Sequence, residues 1–258
     1  MSIDQVDNAR LRQAIADFAT EPIERRMVDV LRAALVGELL LDATRSEFDL
    51  REGKPQTGST IRLSSGVGPD GRRAMLAFTS NAEIARMHPE GTQHQSLAQP
   101  AAGVLEMAKK QGAGWLFLDP ADKKVALSSK DIDFALRHHR NDRISAAIAA
   151  TDAGGPRQAV VDALRIDGPI LLAGEMQSGE EAEGQPRLRM LGRPNGSRAL
   201  LVFTSAPEIA ARHPQDTVIS TTTAKLRAQL RTSSLFSALV VNPAGPSAEV
   251  SREEFLGD

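Results

Sequence analysis

The twelve residues from Phe78 to Pro89, FTSNAEIARMHP, return almost unchanged from Phe203 to Pro214 as FTSAPEIAARHP. A chain that carries the same local code twice is constrained to build the same elements twice, because local preferences and fold agree in natural sequences. The match runs well beyond this segment. Asn8, Arg10 and Ala14–Ala16 align with Asn141, Arg143 and Ala147–Ala149 at an offset of 133, and Val28, Asp29, Leu31 and Arg32 align with Val161, Asp162, Leu164 and Arg165. The offset is 125 from Ala74 to Pro89. It is 123 where LDP at Leu118 meets VNP at Val241 and SSKDI at Ser128 meets SREEF at Ser251. Offsets that shrink stepwise are what shorter loops in the second copy produce. The period is far longer than that of a solenoid repeat, so the sequence predicts two tandem domains, 1–140 and 141–258.

Each copy reads as α+β, a small mixed sheet with flanking helices. Helices are expected at LRQAIADFA and RRMVDVLRAA, then an aliphatic strand at ELLLDA, and the second copy supplies ISAAIAA, QAVVDALR and PILLAGE. Further strands are expected at TIRLSS and RLRMLG, at RAMLAF and RALLVF, and at GWLFLDP and SALVVNP. Helices at PAAGVLEMAKKQG and TAKLRAQLRTS, a short strand and a last short helix complete the unit. Strands clustered in this way, rather than in strict alternation with helices, suggest α+β.

The repeated motif has a structural reading. Phe78 and Phe203 end aliphatic strands and are expected in the core. Thr79 and Thr204 follow. Ser80 and Ser205 stand where a helix starts, with Glu83 and Glu208 three residues on, the spacing of a capping box. Pro207 suits a first helical turn. The prolines after His88 and His213 disfavour helix there. Asp119-Pro120 and Asn242-Pro243 read as the opening of type I turns.

Composition narrows the function classes. Apolar residues make up 41% and charged residues 25%, as in soluble globular proteins. Aromatics are only 3%, so the cores are expected to be aliphatic. A net charge of −2 gives no field for nucleic acid. The absence of cysteine excludes disulfides, thiolate metal sites and a cysteine nucleophile. With no apolar stretch approaching about 20 residues and no leader-like start, cytoplasmic localisation without membrane insertion is the expectation.

An aliphatic strand ending in FTS, a helix with Glu at its third position, and a strand closed by NPAGP before SREEF resemble the SseB family, bacterial proteins named for enhanced serine sensitivity. The likeness is strongest from Ala159 to Leu256. The first copy departs from it, with DPADKKVALSSKDI in place of the NPAGP segment. The resemblance implies a small α+β domain used in tandem, no settled reaction or catalytic residues, and for some members an association with secretion systems.

No residue set has a recognised catalytic spacing, and no Walker A, G-x-S-x-G or H-E-x-x-H pattern occurs. His88 and His213 are matched between the copies and read either as an acid/base pair or, preferred, as polar residues at a helix C-terminus. His138 and His139 are adjacent, so on a helix they diverge. The expected function is therefore non-enzymatic binding of another protein, with no cofactor and no metal, and a homo-oligomer is left open. The candidate partner surface comprises the basic segment Arg137, Arg140 and Arg143 and the acidic loop residues Glu180, Glu181 and Glu183. The alternative is an enzyme or ligand-binding regulator with a pocket between the two copies.

Overall fold

The structure is a computed structural model and describes residues 6–46, 50–51, 54–55, 62–122, 125–175 and 186–257. The chain divides into two compact units, Met1–Asp133 and Phe134–Asp258. The first contains α1 (Ala9–Thr20), α2 (Glu24–Ala33), β1 (Glu38–Asp42), a short pair β2 (Leu50–Arg51) and β3 (Lys54–Pro55), β4 (Ser65–Val67), β5 (Arg73–Ala77), α3 (Asn81–Ala85), β6 (Ser96–Pro100), α4 (Ala101–Lys110), β7 (Trp115–Leu118) and β8 (Val125–Ser128). Helix α5 (Ser129–Leu136) runs from it into the second unit. There follow α6 (Asp142–Asp152), α7 (Gln158–Arg165), β9 (Pro169–Glu175), β10 (Arg187–Leu188), β11 (Met190–Gly192), β12 (Arg198–Val202), α8 (Ala206–Ala210), β13 (Thr217–Thr222), α9 (Thr223–Thr232), β14 (Ala238–Val241), β15 (Ala248–Ser251) and α10 (Arg252–Leu256).

The two units repeat one topology. The main sheet has the order β4-β5-β7-β8 in one and β11-β12-β14-β15 in the other. Its central strands, β5 with β7 and β12 with β14, are parallel, and the outer pairings are antiparallel. Parallel neighbours need a long crossover, here supplied by α3, β6 and α4 or by α8, β13 and α9. A second antiparallel pairing, β1 with β6 or β9 with β13, is tied to the main sheet at one point. There Leu40 and Phe78 exchange two backbone hydrogen bonds of 2.9 Å, as do Leu171 and Phe203. This bridge sets the offset at the first strand to 131, a step between the 133 and 125 visible in the sequence. Strands β6 and β13 were not among the expected elements. Their alternation is weak, and each makes antiparallel pairs with a strand more than 40 residues earlier, which single-sequence periodicity does not report.

The cores are aliphatic, as composition requires. Phe78, Phe203 and Phe255 are the largest fully buried side chains, and Leu, Ile and Val dominate the rest. Leu116 and Leu118 are buried in β7 as expected, whereas the Trp115 indole N–H reaches out to Asp70 Oδ1 at 2.8 Å.

The capping box expected at the FTS motif is corrected by the structure. Ser80 and Ser205 hold the N-cap positions, but neither side chain makes the cap hydrogen bond. Glu83 instead accepts from its i+3 neighbour Arg86, Nη1 lying 3.0 Å from both carboxylate oxygens. These helices are also short, ending at Ala85 and Ala210 before the His-Pro pairs. The capping box lies in the last helix of each copy. Ser251 Oγ accepts from Glu254 N at 3.1 Å while Glu254 accepts from Ser251 N at 2.8 Å. Ser128 and Asp131 repeat the arrangement in the first copy. Ser251→Ala is accordingly expected to cost about 1 kcal/mol, and Ser205→Ala, with no cap hydrogen bond to lose, to cost clearly less. Chemical denaturation of the full chain checks both, and equal losses would restore a capping role to Ser205.

Candidate functional site

At the carboxyl ends of the two parallel strands, Thr79 follows β5 and Asp119 follows β7. Asp119 has a left-handed backbone, φ +46°, and its counterpart Asn242 has φ +51°. Asp and Asn enter this region more readily than other residues with a Cβ. In that conformation the side chain turns back on the neighbouring strand. Thr79 N–H donates to Asp119 Oδ1 at 2.8 Å, and Thr79 Oγ1 donates to Oδ2 at 2.7 Å. In the second copy Thr204 N–H donates to Asn242 Oδ1 at 3.0 Å, and Asn242 Nδ2 donates to Thr204 Oγ1 at 2.9 Å. The Thr carbonyls accept from Asn8 N at 2.9 Å and Asn141 N at 3.0 Å, so the motif also anchors the first helix of each copy. The turn expected after Asn242 is present, with Gly245 N–H donating to the Asn242 carbonyl at 2.9 Å and Pro243 inside the turn.

The surroundings of this pin differ between the copies. In the first, Arg12 Nη1 donates to Thr79 Oγ1 at 3.2 Å, and Arg12, Ile15, Glu83, Arg86, Asp119 and Asp122 line a cleft of about 210 Å³. Asp119 and Glu83 are buried at its floor. Burial pushes the Asp119 carboxyl above the ordinary carboxylate range; its hydrogen bonds from Thr79 oppose this, Glu83 adds to the rise and Arg12 counters it. The equivalent positions in the second copy carry Ser145, Ala211, Asn242 and Gly245 in place of Arg12, Arg86, Asp119 and Asp122. Ser145 Oγ meets Thr204 Oγ1 at 2.8 Å. The same backbone thus holds five charged residues around the cleft in one copy and, in the other, Glu208 at the place of Glu83 with neutral residues at the remaining four.

The histidines diverge as well, and neither adopts the simple helix-end role preferred from sequence. His88 Nε2 lies 3.0 Å from Asp42 Oδ2, and Ser64 Oγ donates to the same oxygen at 2.6 Å. Burial opposes ionisation of Asp42, but hydrogen bonds from Ser64 and Thr44, with His88 nearby, hold its carboxyl below the usual range. Ala173 takes the place of Asp42 in the second copy. His213 sets its ring edge-on to Phe203, with centroids 6.4 Å apart, and its buried Nε2 has no hydrogen-bond partner among the described residues. Burial lowers the His213 pKa, and Arg189 and Arg212 add to this against Asp216.

Of the expected partner surface, Arg137 and Arg143 are exposed, and Arg140 folds back on Asp142, Nε to Oδ1 at 3.1 Å. Glu180, Glu181 and Glu183 lie outside the described residues. Sequence reading did not single out Arg12, Arg86, Asp122 or Asp42. The signal lay in the aligned copies, at matched positions where a charge on one side faces Ser, Ala or Gly on the other. Among the described residues, no His/Asp/Glu group could hold a metal ion and no helix is long and apolar enough to cross a membrane.

Duplicated four-stranded mixed sheets, each locked by a Thr–Asx pair beyond its parallel strands, define a tandem α+β protein. The SseB protein N-terminal domain matches this chain twice, over residues 11–133 and 144–255, and the chain belongs to that family. No curated protein and no solved structure matches it.

The copies predict a coupling. Arg12→Ser leaves the buried Asp119 carboxylate without its cation and is expected to destabilise the chain. In an Asp119→Asn background, which reproduces the second copy, the same change is expected to be nearly neutral, a coupling on the order of 1 kcal/mol. The sign with pH follows from the raised carboxyl. The folded state holds this proton more tightly than the unfolded state, so stability falls as pH rises from the ordinary Asp range through the raised folded value. The stability of Asp119→Asn relative to the native chain should therefore rise over that interval and level off above it. Denaturation midpoints across pH check this, and a flat difference would remove the buried charge from the account.

Proposed function

We propose that this chain is a non-enzymatic protein-binding module of the SseB type. The observation that carries this reading is the division of labour between matched and unmatched residues. The polar side chains repeated in both copies, Thr79 with Asp119 and Thr204 with Asn242, hold strand ends together. Arg12, Arg86 and Asp122, which have no charged counterpart in the second copy, are half-exposed or exposed around the first-copy cleft, the kind of surface on which recognition is usually carried. The basic segment with Arg137 and Arg143 exposed is the first part of the partner surface, and the acidic residues Glu180, Glu181 and Glu183 are the second. Association with a secretion system, which the family resemblance implies, makes such a system the first place to seek the partner. Self-association belongs to the same reading, with a second copy as one partner.

A second reading rests on the first-copy cleft. A buried carboxyl with a raised pKa, set beside two arginines at the carboxyl ends of parallel strands, has features of a ligand or catalytic site. Against it, both Asp119 oxygens are engaged by Thr79, and the cleft is smaller than the roughly 300 Å³ at which small-molecule pockets begin.

Affinity capture from the native host separates the two readings. Arg137→Glu with Arg143→Glu is expected to reduce recovery of a specific partner severalfold, and charge reversal at Glu180, Glu181 and Glu183 likewise, both most strongly at low salt where surface charges are least screened. Turnover of a metabolite by the purified chain, lost in Asp119→Asn while the melting curve holds, would establish the second reading instead.

A further inference from the structure

The second unit has a pocket of about 200 Å³ whose lining includes Phe134, Arg137, Ala206, Ile209, His213 and Val218. Resting on the protein-binding reading, we infer that it receives an aliphatic side chain of a partner peptide whose neighbouring residues are acidic. Three observations lead there.

The first is the contrast with the other copy. Ala206 and Val218 correspond to Asn81 and Ser96, by the FTS alignment and by strand register. In the first copy Ser96 Oγ donates to Asn81 Oδ1 at 2.9 Å, so a polar bridge spans these positions. In the second copy both positions are apolar, and the buried acid behind them, Asp42, has become Ala173. The polar bridge of the first copy is therefore absent from the second, where Ala206, Ile209 and Val218 line the pocket alongside Arg137, His138, His213 and Asp216. Ala206 and Ile209 are buried and Phe134, Ala210 and Val218 half-buried, so an aliphatic group entering the pocket meets carbon on several sides.

The second is size. The pocket is below the roughly 300 Å³ at which pockets for whole small molecules begin. It has room for one side chain of a larger partner, the way an anchor residue fills a desolvated pocket at an interface.

The third is charge. Arg137 and Arg212 are exposed and make no ion pair among the described residues. Asp216 also lines the pocket, but Arg189 holds it through two hydrogen bonds, Nε to Oδ2 at 2.7 Å and Nη2 to Oδ1 at 2.8 Å. Glu175 is drawn to the same guanidinium at 3.1 Å. Three arginines against two carboxylates leave the surroundings positive. Carboxylates flanking the anchor complement that field.

The test uses the full chain and a synthetic peptide, Asp-Glu-Leu-Glu-Asp, acetylated and amidated. Two control peptides replace its Leu with Gly or its acids with Lys. Methyl NMR shifts are read during titration. The expected result is a saturable shift of the Ile209, Ala206 and Val218 methyls with the acidic Leu peptide, and binding weaker by about tenfold or more for each control. Arg137→Glu with Arg212→Glu, both at exposed positions, is expected to weaken the Leu peptide by a similar factor, as is Ala206→Asn with Val218→Ser, which writes the first copy's residues into the second. Equal binding of the Gly or Lys peptide, no shift of these methyls at millimolar peptide, or indifference to the Arg137/Arg212 reversal would overturn the pocket assignment. If a partner captured by the native chain is still retained by the Arg137/Arg212 variant, the pocket falls and the protein-binding reading stands. If no chain captures a partner while the peptide still binds as described, the pocket stands and the wider reading fails.

Discussion

The fold turns on one threonine per copy. Thr79 and Thr204 each use backbone N–H, backbone carbonyl and hydroxyl at the same time. The N–H and hydroxyl bind the Asx residue that ends the neighbouring parallel strand, and the carbonyl receives the residue that caps the first helix. Parallel strands cannot be joined by a tight turn, and the chain between these two makes a detour of some forty residues before it returns. Something other than the connection must register the strand ends. A buried pair of hydrogen bonds does so, because leaving those groups unpaired in the core would cost about 1 to 3 kcal/mol for each. The left-handed backbone of Asp119 and Asn242 is what brings the side chain onto the pin, which explains why Asp and Asn stand there. The following Pro then sets the chain into its turn.

The first asparagine of each copy extends the same logic. Asn8 Oδ1 accepts from Leu11 N at 3.1 Å, and its Nδ2 donates to the Val36 and Glu38 carbonyls. Asn141 caps with Ile144 N at 3.1 Å and donates to the Pro169 carbonyl at 2.9 Å. One residue therefore caps a helix, clips it to the strand some 28 residues later, and hands its backbone N–H to the motif threonine. Helix, strand and sheet end meet at the residues that align first and most plainly between the copies.

This also explains what could be read in advance. The duplication, the α+β class, the aliphatic core and the burial of Phe78 and Phe203 were legible because each follows from local code repeated at a fixed spacing. The helix cap was misplaced because S-x-x-E, with S-x-x-D as its variant, occurs at three places in each copy, and only tertiary context decides which serine turns toward the helix. At the FTS motif the arginine at Glu83's i+3 position captures the carboxylate. Strands β6 and β13 were missed because their partners lie far away in sequence. The charged cleft and the apolar pocket depend on residues from three or four elements, so no single window contains them. Their trace lies across the copies, in pairs such as Arg12 with Ser145 and Asp42 with Ala173, where a duplicated scaffold kept its geometry and changed its chemistry.

Those changes fall on different sides of one short helix. Glu83 and Arg86, three residues apart, share the face of α3 that closes the charged cleft. In α8, Ala206, Ile209 and Ala210, spaced by three and four, share the face that lines the apolar pocket. The first copy keeps the charged side and covers the other with Asn81, Ser96, His88 and Asp42. Of the charged side the second copy keeps Glu208 alone, and it strips the polar cover from the other. Fold maintenance does not account for this, since Asn242 shows that a neutral side chain satisfies the pin with the same left-handed turn. Burial of the Asp119 carboxyl takes from the first unit, as pH rises, stability that Asn would spare, and Ala206 and Val218 cannot make the bridge that Asn81 and Ser96 make in the first copy. Under the proposed protein-binding function, differences of this kind, set at equivalent positions in opposite senses, are what two copies that engage different partners would carry.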